Sequence, residues 1–170
     1  FYVVPGGTGN DFARAFHLPK EPMTAFESQL AGTPIQIDCG KMNGKSFLNV
    51  SGSGFDVAVL EKTEELKAIY PGEKAYRKAV LSVLGRYKAF EAELSIDGGK
   101  TTHEACTIVE IANGQCIGGG MRVAPDARLD DGYFDVVVVK KVPRILIPLL
   151  LPMFMLGWHT KIGLARVVRA

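Results

Sequence analysis

The sequence has 170 residues, of which 47% are hydrophobic and 22% are charged. This length suits one domain, or one domain with a short part of a neighbour, and the composition excludes a disordered chain. The net charge of +2 provides no electrostatic footprint for nucleic acid, so we expect no nucleic-acid partner. Cys39, Cys106 and Cys116 lack the spacing of a metal site and predict buried thiols in a reducing compartment.

The first third of the chain reads as a strand, a glycine-rich turn and two helices. Residues 1–4 are apolar and predict a short buried strand, and residues 5–9 (PGGTG) predict a turn. Asn10 or Asp11 is suited to cap a helix that ends before Pro19. A second helix is predicted over residues 23–30, and Gly32 and Pro34 then mark a domain boundary. Both ends of the sequence lie inside strand-like patterns, which predicts a fragment of a longer protein.

The remainder predicts many short strands with helices between them. Residues 35–37 alternate, and Asn43-Gly44 is a strong type I′ hairpin signal before a returning strand at 47–50. Helices are predicted over 55–69 and 74–87, with a break at Pro71-Gly72. Further strands are predicted at 90–96, 106–112, 121–124 and 133–139. This pattern favours a mostly β (α+β) fold, an antiparallel β-sandwich with inserted helices.

Residues 145–158 form a strongly apolar segment that is too short to span a bilayer. Pro148 and Pro152 interrupt it, and basic residues flank it on both sides. Two interpretations remain open. The segment is either a buried core helix or a surface helix that reaches into lipid headgroups.

The glycine-rich turn has the residues of an anion site. Gly6, Gly7 and Gly9 allow a bound group to approach the backbone closely, and the following helix directs its positive end to the same place. Thr8 adds a hydroxyl, and Asp11 could hold a magnesium ion or order a reacting hydroxyl. A plain turn and a helix cap without chemistry also remain open as interpretations.

Four motifs in a fixed order resemble the diacylglycerol kinase and sphingosine kinase family of lipid kinases. Residues 7–14 (GTGNDFAR) are similar to its GTxNDxAR motif, and residues 49–56 (NVSGSGFD) resemble a second family segment. Residues 112–121 (ANGQCIGGGM) and 124–132 (APDARLDDG) resemble two more. The resemblance covers nearly the whole chain, and four ordered motifs make it far more specific than any one alone.

The resemblance implies an N-terminal α/β nucleotide domain and a C-terminal β-sandwich with the site between them. It implies that residues 1–32 are the end of the nucleotide-binding domain and that 33–170 are a truncated lipid-substrate domain. Thr8 matches a threonine that contacts ATP, in a nucleotide-binding turn with Gly7, Gly9 and Asn10. Asp11 matches an acidic residue of the catalytic magnesium network. The implied cofactors are therefore ATP and Mg²⁺.

The acidic turn near residue 130 resembles a structural magnesium site of bacterial family members. The matching positions are Arg128, Asp131 and Tyr133, where one carboxylate and nearby backbone carbonyls would bind the ion. A solvated acidic turn without an ion is the second interpretation. Asp56 is interpreted as a hinge or sandwich residue. Asn113 and the run at 118–120 either line the lipid pocket or form a bulge and a flexible loop.

Two family features are missing from this sequence. A GGDGT nucleotide motif would precede Phe1, and the acidic segment that supplies the proton acceptor would follow Ala170. Phosphoryl transfer needs both nucleotide positioning and a group that orients the hydroxyl. The 170 residues alone are therefore predicted to lack kinase activity.

The function implied for the parent protein is transfer of the γ-phosphoryl group of ATP to a lipid hydroxyl, with diacylglycerol as the first acceptor. Sphingoid bases and polyprenols remain open as acceptors. Two different functions also remain open, a kinase of a soluble acceptor related to NAD kinase and a non-catalytic lipid-binding module. We expect a cytoplasmic protein that visits the inner membrane face, and the sequence leaves a homodimer open.

Overall fold

The computed structural model describes residues 1–71 and 73–170. The N-terminal segment contains two helices, α1 (Asp11–Ala15) and α2 (Pro22–Leu30). The side chain of Glu21 caps α2, since its two carboxylate oxygens accept the N–H groups of Met23 and Thr24. Both helices were predicted from the sequence, and α1 is only five residues long.

The predicted strand at residues 1–4 is wrong, because this segment has no neighbouring strand to pair with. The side chain of Gln29 on α2 satisfies its backbone instead. The N–H of Val3 donates to Oε1 of Gln29 (2.8 Å), and Nε2 of Gln29 donates to the carbonyl of Val3 (2.8 Å). Gln29 therefore holds residues 1–4 against α2.

A small hairpin joins the N-terminal segment to the main sheet. Its strands are β1 (Gly40–Met42) and β2 (Lys45–Phe47), and Asn43 and Gly44 between them both have positive φ. The type I′ turn was predicted correctly. The strand predicted at 35–37 is wrong. The two-residue turn pairs the residues directly on either side of it, so the first strand of the hairpin begins at Gly40 and not at residue 35.

Five strands form the main antiparallel sheet. The long strand β5 (Thr102–Ala112) lies between β6 (Asp135–Lys140) on one edge and two shorter strands on the other. The first half of β5 pairs with β4 (Phe90–Leu94), and its second half pairs with β3 (Val50–Gly54). The last strand, β7 (Ala165–Arg169), pairs with β6.

The valines of β6 pack on both faces of the sheet. Val137 and Val139 join one hydrophobic cluster with Met121 and Phe154, whereas Val136 and Val138 lie in another. Two buried faces explain why β6 reads as a continuous apolar run rather than an alternating one. The strand predicted at 121–124 is wrong, because Met121 forms only an isolated bridge with Ile117.

Two helices lie between β3 and β4 in the chain. They are α3 (Phe55–Lys67) and α4 (Glu73–Arg86), and their apolar faces meet around Val59 and Ala79. The ring of Phe55 contacts that of Tyr87 edge to face, with centroids 5.3 Å apart. Both helices were predicted from their spacing. Gly72 of the predicted Pro71-Gly72 break lies outside the described residues.

The apolar segment forms the helix α5 (Ile147–Leu156), which is apolar on both sides. Ile147 and Phe154 on its inner side are buried, whereas Leu149, Leu156 and the following Trp158 are exposed. The inner side agrees with the interpretation as a buried core helix, and contact of the exposed side with lipid headgroups stays a prediction. None of the helices in the described part of the chain is long and apolar enough to cross a membrane.

The cysteines do not all follow the prediction of buried thiols. Cys106 is buried in the sheet and Cys116 is partly buried, but Cys39 is exposed. The prediction failed at Cys39 because it lies just before β1, in the connection that leads to the short hairpin.

His159 is a fully buried residue behind α5. Its ring stacks on Phe154 with centroids 3.9 Å apart, Nε2 lies 2.9 Å from the carbonyl oxygen of Val123, and Nδ1 has no partner. Burial lowers the pKa of this imidazole below its ordinary value of 6.5, so the folded protein holds it neutral.

We predict that His159 makes the protein less stable as pH falls from about 6.5 to the lower folded-state pKa. In this window the unfolded chain takes up a proton that the folded protein excludes, so the free energy of unfolding decreases. Urea unfolding at pH 7.5 and 5.5 measures the effect. His159→Gln should reduce the pH dependence, and His103→Gln, which changes an exposed histidine, should not. Identical pH dependence in wild type and His159→Gln would contradict the prediction.

Candidate functional site

The glycine-rich turn at residues 6–9 is closed by the side chain of Asn10. Oδ1 of Asn10 accepts the N–H of Gly7 (2.9 Å), and Nδ2 donates to the carbonyl of Gly7 (2.7 Å). Asn10 takes the left-handed backbone conformation and makes no side-chain cap to α1. The prediction that Asn10 caps the helix is therefore wrong, since its amide is used within the turn.

Asp11 connects this turn to the main domain. Its Oδ2 accepts the backbone N–H of Gly119 (2.7 Å), 108 positions later in the chain. Oδ1 of the same carboxylate is buried and has no hydrogen-bond partner. Because α1 has no side-chain cap, the carboxylate of Asp11 is not a helix cap, and one of its oxygens is available to a cation or a hydroxyl.

Glycines on both sides allow this contact. A Cβ at Gly9 would lie 3.1 Å from the nitrogen of Gly119 and 3.1 Å from Oδ2 of Asp11. Gly118, Gly119 and Gly120 all have positive φ, a conformation that other residues rarely adopt. The run at 118–120 is therefore a tight turn that directs a backbone N–H at Asp11.

The other residues of the predicted nucleotide turn lie at its surface. Thr8 is exposed. Arg14 stabilises the turn, because its Nη2 donates a hydrogen bond to the carbonyl of Gly9 (3.0 Å). Since α1 has only five residues, its dipole is weaker than that of a longer helix. Nucleotide binding by Thr8, Gly7, Gly9 and Asn10 stays a prediction.

A cavity of about 250 Å³, here called the apolar cavity, lies beneath α5. It extends from α3 and α4 across the sheet to Gly118, next to the contact with Asp11. Its lining is almost entirely hydrophobic and includes Phe55, Ile108, Ile117, Met121, Leu150 and Phe154.

Two carboxyl groups interrupt this apolar lining. Asp56 lies in the first turn of α3, and Glu110 lies on β5 directly across from Gly52 of β3. Both side chains lie in the lining of the apolar cavity. A Cβ at position 52 would overlap the carboxyl group of Glu110, so Gly52 provides the room for it.

The acid pair holds a proton at neutral pH. Burial, followed by the hydrogen bond to Asp56 and its negative charge, raises the pKa of Glu110 far above its usual range. Oε1 of Glu110 and Oδ1 of Asp56 are buried without partners. Glu110 was not among the predicted site residues, although an acidic residue amid Ile108, Val109 and Ile111 was a visible signal.

A second cavity, here called the arginine cavity, has a volume of about 430 Å³ and lies on the other side of Asp11. Arg14 and Arg128 line it together with Asp11, Cys116 and Asp130. Burial, with the charge of Asp11 as a smaller effect, raises the pKa of the Cys116 thiol. The carboxylate of Asp11 thus lies in the lining of the arginine cavity and next to the Gly118 end of the apolar cavity.

The predicted magnesium loop is held by an arginine from β7. Oδ1 of Asp131 accepts the N–H of Tyr133 (3.2 Å), and Oδ2 pairs with Arg169. Arg128 pairs with Asp130 at 3.4 Å. Among the described residues no group of three or more His, Cys, Asp or Glu side chains is arranged to hold a metal. A cation at Asp131 would have to compete with Arg169, and the magnesium site at Arg128, Asp131 and Tyr133 stays a prediction.

Asn113 is a structural residue rather than part of the cavity lining. It is fully buried, and its Nδ2 donates to the carbonyl groups of Asp38 (2.9 Å) and Leu48 (2.8 Å). These bonds tie the hairpin segment to the end of β5. Of the residues predicted to line a lipid pocket, Gly118 lies in the lining of the apolar cavity.

Comparisons with known proteins agree with this architecture. Residues 49–170 match the family described as the YegS C-terminal NAD kinase beta sandwich-like domain, and residues 1–42 match the diacylglycerol kinase catalytic domain. The chain therefore belongs to the family of the YegS C-terminal NAD kinase beta sandwich-like domain. The predicted family and the predicted α+β fold with a sandwich-like domain are confirmed.

The similar proteins are about twice as long as this chain. A diacylglycerol kinase from Staphylococcus aureus (strain JH9) is 33% identical over 160 residues, which cover 94% of this chain and 50% of that protein. A crystal structure described as a candidate diacylglycerol kinase from Bacillus anthracis is 26% identical, with a TM-score of 0.72. The match covers 99% of this chain and 55% of the Bacillus chain. The chain thus spans about half the length of these relatives.

We predict that Gly9→Ala weakens the contact between the glycine-rich turn and the main domain. The added methyl group would press on the backbone of Gly119, which should lower the free energy of unfolding by about 1–3 kcal/mol. Gly6→Ala is the matched control, since a Cβ there meets nothing within 4 Å. Guanidinium unfolding of the two variants measures the difference, and equal stability would contradict the prediction.

Proposed function

We propose that this chain is part of an ATP-dependent lipid kinase that transfers the γ-phosphoryl group of ATP to a lipid hydroxyl. The observation that carries the proposal is the position of Asp11, in the lining of the arginine cavity and next to the Gly118 end of the apolar cavity. A lipid kinase must bring a charged phosphate donor and an apolar acceptor to one point, and these two cavities have the corresponding chemistry.

Diacylglycerol, giving phosphatidic acid, is the first acceptor to consider. The Staphylococcus aureus relatives are named for that substrate. Sphingoid bases and polyprenols are the other acceptors that an apolar cavity can receive. The apolar cavity is smaller than the roughly 300–1,000 Å³ of typical ligand pockets, so it suits one lipid chain better than two.

Two guanidinium groups support the arginine cavity as the side of the phosphates, and Asp11 and Asp130 in the same lining balance their charge. Arg14 and Arg128 are the basic residues of its lining, and guanidinium groups bind phosphate oxygens through two parallel hydrogen bonds. They would neutralise part of the charge that spreads over the phosphoryl oxygens during transfer.

Asp11 is the residue that we assign to the reaction centre. Its Oδ2 is fixed by Gly119, so its free Oδ1 has a defined position. This oxygen is suited to accept a hydrogen bond from the hydroxyl group of the lipid, or to hold Mg²⁺. Magnesium held there by Asp11 would neutralise part of the negative charge of the phosphate group.

The outer face of α5 supports contact with a membrane surface. Together with the residues before and after it, the helix exposes an apolar surface formed by Ile145, Leu149, Met155, Leu156, Trp158 and Ile162. Lys141 and Lys161 lie near its ends and are exposed. An exposed apolar face with basic neighbours is typical of a helix that lies in the headgroup region of an anionic bilayer. Since the inner face of α5 covers the apolar cavity, this contact would place the cavity next to its lipid.

We predict that Asp11→Asn abolishes lipid phosphorylation in the natural protein that contains this chain. The amide cannot hold a cation as a carboxylate does, so turnover should fall by at least about 100-fold. The assay uses radiolabelled ATP, magnesium and mixed micelles containing diacylglycerol, sphingosine or undecaprenol in turn. Glu27→Gln, an exposed acid-to-amide change on α2, is the control and should keep full activity. Absence of label in every lipid with the wild-type protein would contradict the proposal, and full activity of Asp11→Asn would contradict the role of Asp11.

We also predict that Leu149→Glu reduces binding to anionic liposomes by about tenfold or more. Leu149 is 66% exposed on the outer face of α5, and a buried carboxylate in the headgroup region is unfavourable. Leu81→Glu is the matched control, because Leu81 is 70% exposed but lies on α4. Co-sedimentation with liposomes measures both variants. Equal binding of the two folded variants would show that α5 does not contact the membrane.

A further inference from the structure

The apolar cavity has two ends, which lie beneath opposite ends of α5. Ile147, the first residue of α5, belongs to the same hydrophobic cluster as Val59 of α3, whereas Phe154 belongs to the cluster of Met121. Ile147 and Phe154 both line the cavity, and their separation along the helix is about 10 Å. The cavity therefore runs beneath α5 from the pair of helices α3 and α4 to the turn at Gly118.

The end of the cavity at α3 and α4 reaches the surface of the protein. Leu60 of α3 and Tyr76 of α4 line the cavity, yet these residues are 61% and 38% exposed. At the other end, Met121 and Phe154 line the cavity and are buried. A side chain that borders both a cavity and the solvent forms the rim of an opening. We call this opening the lateral mouth, and Leu60 and Tyr76 define it.

The lateral mouth lies at the end of α5 where the exposed apolar surface of that helix begins. Ile145, Leu146 and Leu149 are within two positions of Ile147 in the chain, and all three are exposed. Tyrosine combines an apolar ring with a polar hydroxyl, and it is enriched where apolar and aqueous surroundings meet. If the outer face of α5 contacts a membrane, the lateral mouth is therefore close to the apolar part of that membrane.

The apolar cavity is too small to enclose a whole diacylglycerol. Its volume is about 250 Å³, whereas pockets that enclose a drug-sized ligand have roughly 300–1,000 Å³. An opening with an apolar rim removes the need to enclose the lipid, because the end of an acyl chain can continue through it. Such a chain would cover apolar surface of Leu60 and Tyr76 that otherwise contacts water, and the hydrophobic effect favours that contact.

We propose that one acyl chain of the acceptor lipid occupies the apolar cavity and that its end passes out between Leu60 and Tyr76 towards the bilayer. This inference rests on the proposed function, because it assumes that the lipid places its hydroxyl near Asp11. A closed pocket selects acyl chains by length, since a longer chain meets its wall. A cavity with an open end accepts long chains, and the residues of the lateral mouth determine whether they can pass.

Two saturated diacylglycerols that differ only in chain length test this inference. Dioctanoylglycerol and dipalmitoylglycerol are presented at equal mole fraction in mixed micelles to the natural protein that contains this chain, with magnesium and radiolabelled ATP. We expect the wild-type protein to phosphorylate both lipids with similar kcat/KM. Label in the short-chain lipid alone would overturn the open end and leave the lipid-kinase proposal intact. Absence of label in both would overturn the inference together with diacylglycerol as the acceptor.

A substitution at the rim assigns the tolerance of long chains to the lateral mouth. Leu60→Trp narrows the opening, so kcat/KM for dipalmitoylglycerol should fall about tenfold relative to that for dioctanoylglycerol. Leu81→Trp is the matched control and should keep the wild-type ratio, because Leu81 is 70% exposed on α4 but lies outside the described lining of the cavity.

Two outcomes with the variants would overturn the role of the lateral mouth. They are a wild-type ratio in Leu60→Trp and an equal decrease of the ratio in Leu81→Trp. If Leu60→Trp fails to fold, the comparison of the two lipids with the wild-type protein can still overturn the inference.

Discussion

The hydrogen bond between Asp11 and the backbone of Gly119 is the contact on which the arrangement of both cavities depends. It joins a segment that matches the diacylglycerol kinase catalytic domain to one that matches the YegS C-terminal domain. Gly9 and Gly119 meet without side chains, so the two backbones approach closely enough for a carboxylate to reach a single N–H. Moving either turn by the width of a methyl group would separate Asp11 from the end of the apolar cavity.

The same contact leaves the Asp11 carboxylate with one hydrogen-bonded oxygen and one oxygen without a partner. Gly119 fixes one oxygen of Asp11, and the other stays buried and free. The acid pair in the apolar cavity shows the same pattern at a second place. Asn49, Asn113 and His159 also have a buried polar atom without a partner, so this feature alone does not identify a ligand site. At Asp11 it coincides with a position beside two cavities.

Local features were predictable from the sequence, and features that depend on distant partners were not. The turn at Asn43-Gly44 and the helices α3 and α4 follow from residues close together in the chain. The strand predicted at residues 1–4 failed because apolar residues form a strand only where another strand lies beside them. Motif order located Asp11, but its partner Gly119 is set by the tertiary fold. Glu110 was overlooked because only the fold shows that it faces Asp56.

β5 pairs with β3 over one half of its length and with β4 over the other, so the two halves can vary independently. Thr107 lies at the junction, where the register with β6 shifts, and its hydroxyl bonds to the adjacent backbone of β6. On one side of this residue β5 pairs with β3 near the acid pair, and on the other it forms an outer hairpin with β4. The hairpin can therefore be lengthened, shortened or grafted with another segment at its exposed Asp97-Gly98 tip without altering the register around Glu110. The fold thus separates a hairpin that can be remodelled from the part of the sheet that lines the apolar cavity.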